Sequence, residues 1–178
     1  MIITGGKYRS RKLISPAEKI VKPTLSKVRE SVFNILYSRI DFKDKTFLDL
    51  FAGSGIMGFE AISRGFSTLI AIDNNANNIT LLKKNASSLG IDGKFIKYDA
   101  LKYLKAPKDK VDVIFIDPPY DTDLANFALD EIINNGILNK DGIIIIETRK
   151  NKQIDFDGYT VIKECNYGLC NLYFLTIS

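Results

Sequence analysis

Residues 46–58 read Thr-Phe-Leu-Asp-Leu-Phe-Ala-Gly-Ser-Gly-Ile-Met-Gly: a short apolar run closes on Asp49 and passes through Gly53-Ser54-Gly55 into a helical pattern. Glycines at this junction let the chain turn tightly and bring backbone N–H groups, at the start of the next helix, close to a ligand. Gly53, Gly55 and Gly58 spell GxGxxG, and Asp73 closes the next apolar run 18 residues after Gly55. That spacing matches the dinucleotide fingerprint of a strand, a glycine turn and a helix. A purely structural strand-to-helix turn would carry the same glycines.

Outward from this loop, short apolar runs alternate with helical stretches. The texture predicts strands at 46–50, 68–72, 94–98, 111–116, 142–147, 160–164 and 171–176, with helices near 56–64, 75–89, 100–104 and 123–135. Runs such as Val-Ile-Phe-Ile and Ile-Ile-Ile-Ile-Glu are apolar on both faces, as strands between two helix layers must be. The alternation predicts an α/β, Rossmann-like fold with a mostly parallel sheet, helices on both faces and ligands at the carboxyl ends of the strands. No helix separates the last two runs, so they should form an antiparallel pair on the sheet edge. Ahead of the first strand, residues 1–16 read as an irregular hairpin or extended arm around Gly5-Gly6. Pro23-Thr24 then opens a helix with apolar Val28, Val32, Ile35 and Leu36 on one face and Lys27 and Arg29 expected opposite.

The chain has 178 residues, 46% apolar and 26% charged, the length of one ordinary domain that can bury its own core. It contains no histidine, which excludes Ser-His-Asp and Cys-His nucleophiles, a histidine general base and histidine metal ligands. Cys165 and Cys170 are too few for a zinc site and read as free thiols, a reactive pair being the alternative. Sparse cysteine, no apolar leader after Met1 and no apolar run of membrane-spanning length lead to the expectation of a cytoplasmic protein without membrane or metal partners. The net charge of +4 is uneven: residues 1–45 hold 11 Lys/Arg against 4 Asp/Glu, a net of +7, and residues 46–178 hold 14 against 17, a net of −3. We therefore expect a basic extension at 1–45 and a ligand-binding domain at 46–178.

Acidic residues close three successive strands: Asp49, Asp73 and Asp99. A pyrophosphate gains nothing from a carboxylate at Asp49, whereas a cationic amino-acid group does. S-adenosylmethionine carries an α-ammonium and a sulfonium and no phosphate, which favours it over NAD. Asp73 is placed to accept ribose hydroxyls, and Asp99, before Ala100, to accept an adenine amine. For any one of these acids the bland reading is a helix N-cap. The fourth strand runs into Asp117-Pro118-Pro119-Tyr120. Two prolines remove two N–H donors and leave carbonyls without ladder partners. The Asp117 carboxylate and the Pro118 carbonyl can then take both hydrogens of an exocyclic amine, with Tyr120 as a stacking face for an extruded base. Asp121 and Asp123 read as caps of the following helix or solvated charges.

In order along nearly the whole chain, ITGGKYRSRKL, KPTLSKVRESVFNIL, FLDLFAGSGIMGFEAISRG, AIDNN, DPPY and NYGLCNLYFL resemble the RsmD-type family of class I S-adenosylmethionine-dependent methyltransferases. The resemblance implies methylation of the N2 amine of one guanine in bacterial small-subunit (16S) ribosomal RNA; we expect a monomer that acts on that RNA within a small-subunit particle. It also implies a seven-stranded sheet with an antiparallel last strand and an RNA-contacting head. By motif, Asp49, Ala52, Gly53, Ser54, Gly55, Asp73, Asn74, Asp99 and Ala100 would hold the cofactor, and Asp117, Pro118, Pro119 and Tyr120 the guanine. Thr24, Arg29 and Glu30 would lie near the cofactor or target, although Arg29 and Glu30 read equally well as a solvated helix face. Lys22 stands where the family often has Arg, which keeps the charge and loses the bidentate fork.

The head concentrates Lys7, Arg9, Arg11, Lys12, Lys19, Lys22, Lys27 and Arg29 within 23 residues, with Tyr8 among them. Such a run neutralises phosphates, and an interleaved aromatic stacks on an unpaired base; the bland reading is a solvated face. Alternatives to the leading function are a DNA adenine-N6 or cytosine-N4 amino-methyltransferase, a non-catalytic RNA-binding assembly factor, and an NAD-binding oxidoreductase.

Overall fold

A computed structural model describes residues 1–15, 23–119 and 122–178. Along the chain lie α1 (Pro23–Tyr37), β1 (Thr46–Asp49), α2 (Ile56–Arg64), β2 (Thr68–Asp73), α3 (Ala76–Leu89), β3 (Lys94–Lys97), α4 (Ala100–Lys105), β4 (Val111–Ile116), α5 (Leu124–Asn135), β5 (Leu138–Arg149), β6 (Tyr159–Tyr167) and β7 (Cys170–Ile177). The strands form one seven-stranded sheet in the order β3-β2-β1-β4-β5-β7-β6. Strands β1 to β5 pair in parallel, while β7 runs antiparallel to both β5 and β6. The expected antiparallel pair thus closes one edge, with β7 inserted between β5 and β6. This order departs from the all-parallel 3-2-1-4-5-6 sheet of NAD-binding domains.

Alternation along the strands sorts the core into two faces. Phe47, Val113, Ile145 and Phe174 pack with Phe33 and Leu36 of α1, Phe59 of α2 and Leu82 of α3. Their neighbours Leu48, Ile114, Ile144 and Leu175 pack with Leu104 of α4 and Leu129 and Ile132 of α5. All six residues of β4 are buried, as its continuous apolar texture requires. Its one acid, Asp112, accepts bonds from Thr46 N, Lys45 Nζ and Asn139 Nδ2, which tie the β1, β4 and β5 starts together.

The basic head shares this core. Ile3 and Leu13 are buried against the α1–α3 face, and the Ile2–Lys12 bridge makes the irregular hairpin expected there. Lys7 N donates to Ser63 O at 2.7 Å, and the Ser63 hydroxyl donates to Gly5 O at 2.5 Å while accepting from Tyr8 N at 2.9 Å. Gly6, at φ +76°, passes so close that a Cβ would stand 1.8 Å from Ser63 O. Any side chain there would lift the arm off α2. Further on, buried Asn85 of α3 takes the N–H and the C=O of Ile14 at 2.9 and 3.0 Å. Residues 1–15 are strapped across two helices.

One expectation about this head is corrected. Arg29, expected on the solvated face of α1 as an RNA contact, is 4% exposed. Its Nε lies 3.2 Å from Glu60 Oε2 and a terminal nitrogen 2.7 Å from Ile2 O. Glu60, fully buried on α2, also accepts from Thr4 N and Oγ1 at 2.9 and 2.7 Å and from Arg64 Nε at 2.8 Å. Burial pushes the Glu60 carboxyl up, but the Thr4 hydrogen bonds and the Arg64 pair outweigh it and hold the group below the ordinary glutamate range. Arg29 is committed to this network, which joins the arm, α1 and α2, and cannot reach a phosphate.

Candidate active site

The sheet order reverses between β1 and β4, which are neighbours although far apart in sequence. A crevice outside the carboxyl ends of the strands opens at such a switch point. Asp49 pairs in register with Phe115, so the glycine loop after β1 and the Asp117-Pro118-Pro119 exit of β4 leave the sheet side by side.

Hydrogen bonds to both neighbouring strands fix the loop: Leu50 N to Phe115 O at 3.0 Å, Ala52 N to Ile72 O at 2.9 Å and Gly53 N to the Asp73 carboxylate at 2.8 Å. Gly55, at φ +75°, caps α2, and a Cβ there would stand 2.0 Å from Leu82 Cδ2, so this glycine seats the helix against the core. Gly53 differs, because a Cβ there would meet nothing nearer than Phe51 O at 3.9 Å. The loop is therefore open at Gly53, where a cofactor would approach backbone.

The three strand-end acids have separate fates. Asp49 is 2% exposed, and its carboxylate accepts from Gly58 N at 3.3 Å. Burial, opposed by that bond and aided by nearby Asp73, raises its pKa to about 7. Asp49 thus lies beneath the loop, its carboxylate turned to the loop's own backbone. Asp73 accepts from Gly53 N, Asn75 N and Asn78 Nδ2. A carboxylate offers about four lone-pair sites, which leaves acceptor capacity for a ribose hydroxyl. Asp99 caps α4, accepting from Lys102 N at 2.9 Å, so the helix-cap reading accounts for one oxygen. Asn74 is exposed, Ser54 half-buried, and Ala52 and Ala100 buried. An open glycine backbone, a hydroxyl acceptor at the second strand and no phosphate-directed cation among these residues fit an uncharged ribose and a cationic amino acid.

At the β4 exit Pro118 is buried and Pro119 exposed. The Pro119 carbonyl accepts from the Thr122 hydroxyl at 2.8 Å, so it is not one of the open acceptors expected from the motif. Tyr120 and Asp121 lie outside the described residues, as do Lys19, Lys22 and the side chain of Thr24. Pro118 and Pro119 line a cavity of about 590 Å³ with Thr122, Glu147, Cys170 and Leu169. Sequence reasoning missed this wall. Glu147 stands at the β5 end, where burial pushes its carboxyl above the ordinary glutamate range against a bond from the Cys170 thiol. Arg149, Lys150 and Lys152 give the same cavity a basic lining, Lys152 pairing with Asp123 at 2.5 Å. Their signal was visible as three cations in four residues beyond an apolar strand.

Of the expected RNA contacts, Lys7, Arg9, Lys12 and Lys27 are exposed. Lys7 Nζ sits 5.2 Å from the centre of the Tyr8 ring, and Arg11 donates to Ser88 O at 3.2 Å. Glu30 is exposed. Among the described residues no three His, Cys, Asp or Glu side chains are grouped to hold a metal, and no helix is long and apolar enough to cross a membrane.

Comparison with known proteins identifies the family and the fold. The family described as Conserved hypothetical protein 95 matches residues 1–176. The ribosomal RNA small subunit methyltransferase D of Haemophilus influenzae is 34% identical over 173 residues, spanning 94% of this chain and 89% of its own. That of Escherichia coli strain K12 is 34% identical over 148 residues, 82% and 73% of the two chains. A solved structure, the putative methyltransferase yhhF from Escherichia coli, superposes with a TM-score of 0.88 at 27% identity, covering 100% of this chain and 98% of that one. The fold is that of class I methyltransferases, and the chain belongs to the RsmD-type family, the one described as Conserved hypothetical protein 95.

Proposed function

We propose that this protein is an S-adenosylmethionine-dependent ribosomal RNA methyltransferase that modifies the exocyclic N2 amine of one guanine in small-subunit (16S) RNA. The observation that carries the reading is the adjacency of the open glycine loop and the Asp117-Pro118 exit at neighbouring strand ends, beside a cavity large enough for a base. The relatives' names supply the substrate class.

When bound, S-adenosylmethionine supplies an electrophilic methyl group. The Gly53 backbone and Asp73 would hold it, and ionised Asp49 beneath the loop would favour its positive charge. Asp117 and the Pro118 carbonyl accept the two amine hydrogens. That restrains the nitrogen out of the ring plane and aims its lone pair along the transfer line, an orientation effect that needs no strong base. As the nitrogen takes the methyl group the methyl–sulfur bond breaks, leaving the neutral thioether S-adenosylhomocysteine, and the nitrogen, now cationic, is acidic enough to release its proton to Asp117 or water. Lys7, Arg9, Arg11, Lys12 and Lys27 of the head and Lys150 and Lys152 at the cavity grip phosphates without reading sequence. On this reading the protein acts as a monomer, in the cytoplasm, on the RNA within a small-subunit particle.

The test is tritium transfer from labelled S-adenosylmethionine to small-subunit particles lacking the modification. Wild type should label the RNA, and Asp117→Ala should lose at least 10²-fold in rate while still binding S-adenosylhomocysteine, since removing one oriented polar contact to a reacting group costs about 10²–10³-fold. Equal labelling by both proteins would overturn the assignment of the amine site.

A further inference from the structure

Glu147 lines the cavity together with Pro118 and Pro119, and the mechanism above gives it no task. Its position is set by the sheet. Ile116, the last residue of β4, pairs with Ile146 of β5, so Asp117 leaves the sheet beside Glu147, which stays in β5 opposite Leu172 of β7. The Cys170 thiol, on the neighbouring antiparallel strand, donates to the Glu147 carboxylate and lines the same cavity.

The exocyclic amines of nucleic acids differ in the ring nitrogen beside them. Guanine presents N1–H, a donor, next to its N2 amine; adenine and cytosine present an unprotonated acceptor next to theirs. An ionised carboxylate accepts only. We propose, resting on the function above, that Glu147 accepts the guanine N1–H while Asp117 and Pro118 hold the N2 amine, and that Glu147 thereby selects guanine against bases with an acceptor at that edge. The pairing gives a task to an acid at the wall of a cavity also lined by Arg149, Lys150 and Lys152. A site built around a hydrogen-bonding partner rejects an analogue lacking it, because the buried acceptor is left unpaired.

The experiment compares small-subunit RNA with guanine or 2-aminopurine at the methylated position, mapped first by mass spectrometry. 2-Aminopurine keeps the amine and has an acceptor at N1. Wild type should favour guanine by about 10- to 150-fold in kcat/KM, a charged hydrogen bond being worth roughly 1.5–3 kcal/mol. Glu147→Ala should lose about that factor on guanine and change by less than about threefold on 2-aminopurine, so that the preference collapses; such a coupling between side chain and N1–H is what a double-mutant cycle isolates. Glu147→Gln, which keeps shape and one acceptor, should fall between and serves if the alanine variant does not fold. S-adenosylhomocysteine binding by both variants should match wild type. If the variants slow both RNAs equally, Glu147 is structural and the inference fails alone. If wild type methylates no guanine N2, the parent reading fails and takes the inference with it.

Discussion

Replacing Arg29 separates two accounts of the basic head. The substitution Arg29→Met keeps the aliphatic stem and removes the guanidinium, and with it the 3.2 Å pair to Glu60 and the 2.7 Å bond to Ile2 O. Breaking a buried ion pair by deleting one partner costs about 3–5 kcal/mol because the remaining charge is stranded. Glu60 keeps Arg64 and both Thr4 donors, so the lower end applies to the pair. The lost charged bond to Ile2 is worth roughly 1.5–3 kcal/mol by itself, but the two losses share one side chain and do not add. The variant should lose about 3 kcal/mol, which at this chain length lowers Tm by roughly 6–12 °C. Urea unfolding followed by circular dichroism reads the first quantity, and a thermal scan the second. The salt dependence of RNA affinity should keep its wild-type slope. Stability within about 0.5 kcal/mol of wild type, together with a shallower salt slope, would mean that Arg29 is the phosphate contact its position in the sequence first suggested.

The same network predicts an acid transition. Glu60 titrates below its ordinary value of 4.5, so its stabilisation is complete above that pH and is lost as pH falls through the lower folded value; Glu60→Gln should flatten that limb of the stability curve, measured by urea unfolding below pH 5. Asp49 has the opposite sign. Its pKa, raised from 3.8 to about 7, makes the unliganded fold less stable as pH rises between those values. A cationic cofactor favours the ionised form, so binding should release a proton and weaken below pH 7. Calorimetry in buffers of different ionisation enthalpy checks this, and Asp49→Asn should abolish the proton release while stabilising the unliganded protein at pH 8. Finally, Lys150→Ala with Lys152→Ala should reduce the slope of log affinity against log salt by about 1.4, at roughly 0.7 per single-strand phosphate contact. An unchanged slope would remove these two from the RNA surface.

Most of the architecture was legible because it is written in local pattern. Buried parallel strands announce themselves as Val-Ile-Phe-Ile and Ile-Ile-Ile-Ile, and Gly65, Gly90 and Gly136 stop α2, α3 and α5 in left-handed caps. The glycine loop and the Asp-Pro-Pro exit were legible for the same reason, since each is contiguous. What stayed hidden depends on partners distant in sequence. Arg29 lies 4 and 7 residues before Phe33 and Leu36, on their buried stripe, but only the approach of Glu60 from α2 makes a buried guanidinium tolerable. Asp49 sits at a ligand-bearing strand end by sequence, and its commitment to Gly58 N appears only once α2 is docked. The cavity wall of Glu147, Leu169 and Cys170 needs β7 inserted beside β5, a pairing that no single stretch encodes.

The most direct measurement is mass spectrometry of small-subunit RNA after incubation of unmodified particles with S-adenosylmethionine and the protein. The account predicts N2-methylguanosine at a single position with wild type, at a rate at least 10²-fold above that of Asp117→Ala, the expected cost of losing one oriented contact to a reacting group. Methylated adenine or cytosine, or unmodified RNA alongside a protein that binds S-adenosylmethionine, would contradict it.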